Sequence, residues 1–129
     1  MLAALIVAFA LGGPIPVSCT GTTLGGDSIA PHAGWYDVEH HAIVLAPDIC
    51  RGLRYPTLEG RAYSLHVVLH EAAHAQGYRN EHKADCAATR MFKFVALKLT
   101  IMPRSWIERG YRSVLRMTGC RDTSTDQGG

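Results

Sequence analysis

The chain has little excess of charge of one sign: 13 Lys and Arg against 11 Asp and Glu leave only +2 over 129 residues. So even a balance makes no electrostatic case for nucleic acid as a partner. Arg104, Arg109, Arg112, Arg116 and Arg121 do lean the C-terminal part basic. No aromatic or Gly-rich pattern interleaves them, so they read as the solvated face of a late helix rather than a phosphate-binding strip. The four cysteines contain no C-x-x-C, which argues against a Cys-rich zinc knuckle. Internal repeats are absent. The length suits one domain with a modest core.

A long apolar run is missing as well. The opening MLAALIVAFAL ends at Leu11, before Gly12, Gly13, Pro14 and Pro16, and is short for a membrane-spanning helix. Residues 1–18 resemble a signal-peptide core and exit, which implies export to the cell envelope or beyond and membrane association before processing. No Lys or Arg precedes the run and no clear A-x-A site follows it, so a buried N-terminal helix is the alternative, and a cytoplasmic location stays open. An even set of cysteines, Cys19, Cys50, Cys86 and Cys120, suits an oxidising compartment. Three pairings are open; the expectation is Cys50–Cys86 with Cys19–Cys120, and four free thiols are the alternative.

Residues 19–33 are rich in Gly, Ser and Thr and read as a linker. Residues 34–120 read as the folded domain and 121–129 as a disordered tail. Two extended runs, Gly34–Val38 and Ala42–Ala46, flank a turn at Glu39-His40-His41 and predict a β-hairpin. Pro47 stops the second run, and Asp48 can cap a short helical turn. Leu65, Leu69, Ala72, Ala73 and Gln76 follow three- and four-residue steps, which predicts a helix over Gly60–Gln76 with Gly77 as its left-handed cap residue. Asn80 is a good N-cap for a second helix reaching about Leu99. Ser105 can cap a third over Trp106–Met117, closed by Gly119.

What is abundant is metal-binding chemistry. LHEAAHAQGYRNEHKADCAA, residues 69–88, holds three histidines, two glutamates and an aspartate. Residues four apart on a helix share a face, so His70 and His74 can offer ring nitrogens to one ion while Glu71 projects from the neighbouring edge as a general base. A tetrahedral catalytic site needs a third protein ligand. Gly77 lets the chain reverse, and Glu81 then arrives in the first turn of the next helix. Ala72, Ala73, Ala75, Ala84, Ala87 and Ala88 leave little bulk between the two helices. Asp85, one turn after Glu81, can accept the distal N–H of a ligand histidine. His82 and Asp85 remain alternatives for the third ligand. His66, one turn before His70, reads as a half-buried histidine bonded to backbone or as support for the site. His40 and His41 are expected to face water, and His32 carries no argument. The oxyanion group is open among Tyr78, Tyr111, Arg112 and His82.

HEAAH followed by NEHKAD resembles the gluzincin pattern, in which H-E-x-x-H is completed by a glutamate inside E-x-x-A-D. The whole string H-E-x-x-H-x-x-G-x-x-N-E-x-x-A-D-C is similar to that of small metallopeptidases of bacteria and their phages. The resemblance spans roughly residues 35–95 and is specific over 70–86. It implies one zinc ion on His70, His74 and Glu81, with Glu71 as base and a peptide or protein as substrate. The chain departs from the metzincin signature at Asn80, where that pattern has a metal-binding His or Asp. Such peptidases bind substrate along an exposed strand, for which the run HAIVLAP, residues 41–47, is the candidate, with an ordinary core strand as the equal alternative.

The expectation is an α+β, minimal zincin-like domain, with a small hairpin or sheet packed on the H-E-x-x-H helix and two further helices. Its function would be zinc-dependent amide hydrolysis through a metal-bound water activated by Glu71. The alternatives are a catalytically inactive zincin-like zinc-binding or interaction module, and a metal-free scaffold in which the polar cluster is solvated.

Overall fold

The computed structural model describes residues 1–123. It is an α+β domain with five helices and one small mixed sheet. The helices are α1 (Leu2–Leu11), α2 (Pro47–Gly52), α3 (Leu58–Ala75), α4 (Glu81–Lys98) and α5 (Arg104–Thr118); the strands are β1 (Val17–Ser18), β2 (Gly34–Asp37) and β3 (Ala42–Leu45). Of the tail expected to be disordered, residues 124–129 lie outside the described residues.

α3 is the organising element and touches all four other helices as well as β2 and β3. Thr57 starts it, its hydroxyl accepting from the Gly60 amide at 3.1 Å. Leu65, Val68, Leu69, Ala72 and Ala73 are fully buried along it. It ends where Gly77 takes φ 110°, a conformation that costs glycine little. The Gly77 amide then bonds the His74 carbonyl and the Tyr78 amide reaches the Ala73 carbonyl, the paired bonds of a Schellman turn. Two residues on, Asn80 starts α4 by accepting from the Lys83 amide at 2.9 Å. Ala73, Ala84 and Ala87 form a small cluster of their own. Methyl-sized contacts of this kind let helix backbones approach closely.

β2 and β3 form the expected hairpin, in register from Gly34↔Leu45 to Asp37↔Ala42, around a turn in which His41 has φ 47°. The sheet order is β1-β3-β2, with β1 parallel to β3. β3 is therefore the central strand, buried at all four residues and bonded on both edges, and is not available to a substrate strand. The edges belong to β1 and β2, and of these two it is β2 that packs against α3. Three helix starts also differ from expectation, the first being α3, which begins at Leu58 rather than Gly60. Pro47 opens α2 rather than merely ending a strand, because its fixed φ suits a first helical position, and Ala46 rather than Asp48 precedes it. α5 begins at Arg104 after Pro103, not at a Ser105 cap.

Residues 2–11 form a helix whose Ala3, Ile6 and Val7 lie in the core, and the Gln76 side-chain amide donates to the Ala10 carbonyl. No helix among the described residues is long and apolar enough to cross a membrane. The segment read as a linker is pinned by a disulfide at Cys19, a Thr22↔Ser28 bridge and buried Ile29.

The disulfides are Cys19–Cys50 and Cys86–Cys120, with Cα separations of 6.0 and 5.5 Å. They replace the expected Cys50–Cys86 and Cys19–Cys120 pairs. The pairing of elements decides this: Cys19 directly follows β1 and Cys50 lies in α2 directly after β3, the strand β1 pairs with, whereas α4 carries Cys86 to Cys120 just past the end of α5. Two disulfides are compatible with an extracellular protein.

Candidate metal centre

His66, His70 and His74 follow one another at helical steps of four along α3, and the turn at Gly77 returns α4 to the same side. The Nε2 atoms of His70 and His74 lie 3.0 Å apart. Glu81 meets both, Oε2 at 2.9 Å from His70 Nε2 and Oε1 at 3.0 Å from His74 Nε2. Metal bonds of ~2.0–2.2 Å in a tetrahedral site place neighbouring donor atoms about 3.3 Å apart. The observed triangle needs to open by only a few tenths of an ångström to fit.

The other ring nitrogens show which atoms carry protons. His74 Nδ1 lies 2.5 Å from the Tyr78 carbonyl, which can only accept, so this nitrogen donates. His70 Nδ1 lies 2.7 Å from Asp85 Oδ1, and as long as that carboxylate is ionised it too can only accept. In the neutral rings both protons are thus on Nδ1, and two lone pairs and a carboxylate face one another across about 3 Å. With both rings neutral, no proton is left in that triangle to share. A divalent cation satisfies all three atoms, and the donor set is the His₂-carboxylate combination that zinc accepts.

Of the alternatives for the third position, Asp85 is committed to the outer nitrogen of His70, and His82 turns its Nε2 to Cys86 Sγ at 3.6 Å. The structure brings Glu81, not these two, to the inner nitrogens.

Glu71 is 6% exposed and burial raises its pKa to about 7, with the Glu81 and Asp85 charges adding to the rise and His70 and His74 opposing it. It faces the first residue of β2. A Cβ on Gly34 would stand 2.9 Å from Glu71 Cγ and 3.1 Å from its Oε2, so glycine makes room for the carboxylate under the strand. Two cavities meet there. One of about 700 Å³ runs past Trp35, Tyr36, His74, Tyr78, Arg79 and Glu81. The other, about 280 Å³, lies over Tyr63, Val67, His70, Asp85 and Met117; His32, Gly34 and Glu71 line both. The cleft therefore follows the β2 edge on both sides of Glu71.

Tyr78 and Arg79 line the larger cavity, and among the four oxyanion candidates only Tyr78 is so placed. Tyr111 is buried, its hydroxyl engaged with Asp122 and the Thr123 amide, and Arg112 pairs with Glu108. His40 and His41 are exposed as expected, bonded to Asp37 and Tyr36 within the hairpin. His66 is not bonded to backbone. Its Nε2 lies 3.0 Å from Asp85 Oδ1, while its Nδ1 is buried without a partner among the described residues. A buried acceptor left unpaired costs about 1–3 kcal/mol. Sequence reasoning missed Gly34, Arg79 and the His66–Asp85 bond. A glycine opening a strand beside a buried helix was the available signal for the first; the other two depend on contacts between elements.

No protein-family model matches the chain, and neither a curated protein nor a solved structure is similar to it at a significant level.

Proposed function

We propose that this protein is a zinc-dependent peptidase, with His70, His74 and Glu81 as metal ligands and Glu71 as general base. One observation carries the reading: two imidazole nitrogens and a carboxylate lie 2.9–3.0 Å from one another, beside a buried glutamate in an open cleft. When bound, zinc supplies a Lewis acid and lowers the pKa of water in its coordination sphere towards ~7. The chain's own residues do the rest. Asp85 and the Tyr78 carbonyl hold the two histidines by their Nδ1 protons. A peptide adds to the free edge of β2 as a further strand, which lays its backbone across Glu71 and the histidines. Glu71 takes a proton from the attacking water and returns it to the leaving amine. Tyr78, with Arg79 beside it, donates to the oxyanion of the scissile carbonyl. With two disulfides in the fold, the place of action is an oxidising, extracytoplasmic space.

The test is elemental analysis of the purified protein beside His74→Ala and Glu81→Ala, followed by peptide-library cleavage. About one equivalent of zinc in the wild type, lost or strongly reduced in both variants, is the expected result. Glu71→Gln should keep the zinc and lose hydrolysis; equal cleavage by that variant would refute the assigned base. A wild type that takes up no zinc when supplied with it would end the peptidase reading.

A further inference from the structure

We propose that His66 is a positioning residue for the metal centre, acting through Asp85 to hold His70; the inference rests on the zinc site proposed above. Asp85 Oδ1 receives two donors from successive turns of α3, His66 Nε2 at 3.0 Å and His70 Nδ1 at 2.7 Å. An ionised carboxylate offers no proton, so both nitrogens donate, and a single oxygen is clamped between two N–H groups. The Asp85 side chain is 29% exposed, open enough for water to compete for that oxygen. The second donor removes this freedom and leaves His70 Nδ1–H with one acceptor in one place. His70 Nε2 is then aimed at the metal.

The cost of this arrangement is what separates it from ordinary packing. His66 is 4% exposed, on a stretch of α3 whose neighbours Leu65, Val67, Val68 and Leu69 are all buried apolar residues. Placing its Nε2 proton on Asp85 leaves Nδ1 as a lone acceptor, buried and without a partner among the described residues. Leucine at this position would carry no such penalty. A histidine here is explained by the one bond it does make. Burial also lowers its pKa, which favours the neutral ring with a single proton to place.

Glutamine and asparagine separate reach from polarity. A glutamine amide nitrogen can stand where His66 Nε2 stands; an asparagine amide ends near Nδ1 and falls short of Asp85. Zinc dissociation constants would be measured by competition with a chromophoric chelator for wild type, His66→Gln, His66→Asn, Asp85→Ala and the His66→Asn/Asp85→Ala double variant. Thermal melts of the zinc-free proteins would run alongside. The inference expects His66→Asn to weaken zinc about tenfold and His66→Gln to stay within about threefold of wild type. It also expects the double variant to bind no worse than Asp85→Ala alone, because His66 acts only through Asp85. Wild-type affinity in His66→Asn, equal losses in both His66 variants, or additive losses in the double variant would overturn it while leaving the zinc site standing. If His66→Asn does not fold, His66→Leu takes its place in the same comparison. A wild type that binds no zinc would remove the site and this inference together.

Discussion

Gly34 shows how much a single atom decides at this centre. With 2.9 Å to Glu71 Cγ and 3.2 Å to Leu45 Cδ2, an added methyl group forces either the carboxylate or the strand to move. Gly34→Ala should therefore keep its zinc and lose hydrolysis on the order of 100-fold, as a displacement of about 1 Å at a reacting group does. Peptide-cleavage kinetics beside zinc content would check it; unchanged kinetics would mean that Glu71 is not held by β2. Glu71 itself leaves a signature in the metal-free protein. Its pKa rises on folding from an ordinary 4.5 to about 7, so between these values the folded state holds a proton that the unfolded chain has lost. Stability must then fall as pH rises through that window, with the deficit of roughly 3 kcal/mol complete above pH 7. Glu71→Gln should remove this slope in chelator-treated protein, read as urea unfolding from pH 4.5 to 8. His66, lowered by burial, contributes the opposite slope up to its ordinary 6.5 and is present in both proteins, so the difference between the curves belongs to Glu71.

Among the elements, α3 and α4 carry the centre and each begins on a side-chain cap. Asn80→Ala removes the acceptor for the Lys83 amide and should cost about 1 kcal/mol. Glu81 is the first residue of α4, so fraying of that turn also loosens the proposed third ligand. Thr57→Ala removes the equivalent cap of α3, at the end far from His70 and His74, at a similar cost. Thermal melts should show comparable losses for the two, whereas zinc affinity should fall in Asn80→Ala alone; equal affinities would show that the first turn of α4 does not set the ligand. The Asn80 cap, the Gly77 turn and the apolar steps of α3 were legible because they depend on neighbours within a few residues, whereas the Thr57 cap was missed and α3 was expected to open at Gly60. The start of α2 at Pro47 was misjudged because proline both ends strands and opens helices, and local sequence does not say which. β1, two residues long and parallel to β3, leaves no periodic signal and exists only because the chain after α1 runs beside the hairpin.

At the scale of the whole molecule, two disulfides close stretches of 31 and 34 residues. Chain-entropy arguments assign each roughly 3–4 kcal/mol, a large share of the ~5–15 kcal/mol that a domain of this kind retains. Reduction with a phosphine should lower the midpoint of thermal unfolding by tens of degrees. Calorimetry with and without reductant would check it, and an unchanged midpoint would mean that the core alone holds the fold. The convergence of His70, His74 and the start of α4 followed from their order in the chain, because helix geometry converts a spacing of four into a shared face and Gly77 with Asn80 dictates an immediate return. The α+β class followed from the same local patterns. What needed the tertiary structure were the relations between distant segments: which cysteines meet, that β2 rather than β3 offers its edge, and that residues 2–11 pack into the core. Glu81 was separated from Asp85 and His82 in the same way, since three carboxylate or imidazole groups on one helix turn are equivalent until a facing helix selects one. Spacing along the chain determines which groups share a face, and packing between elements determines what that face meets.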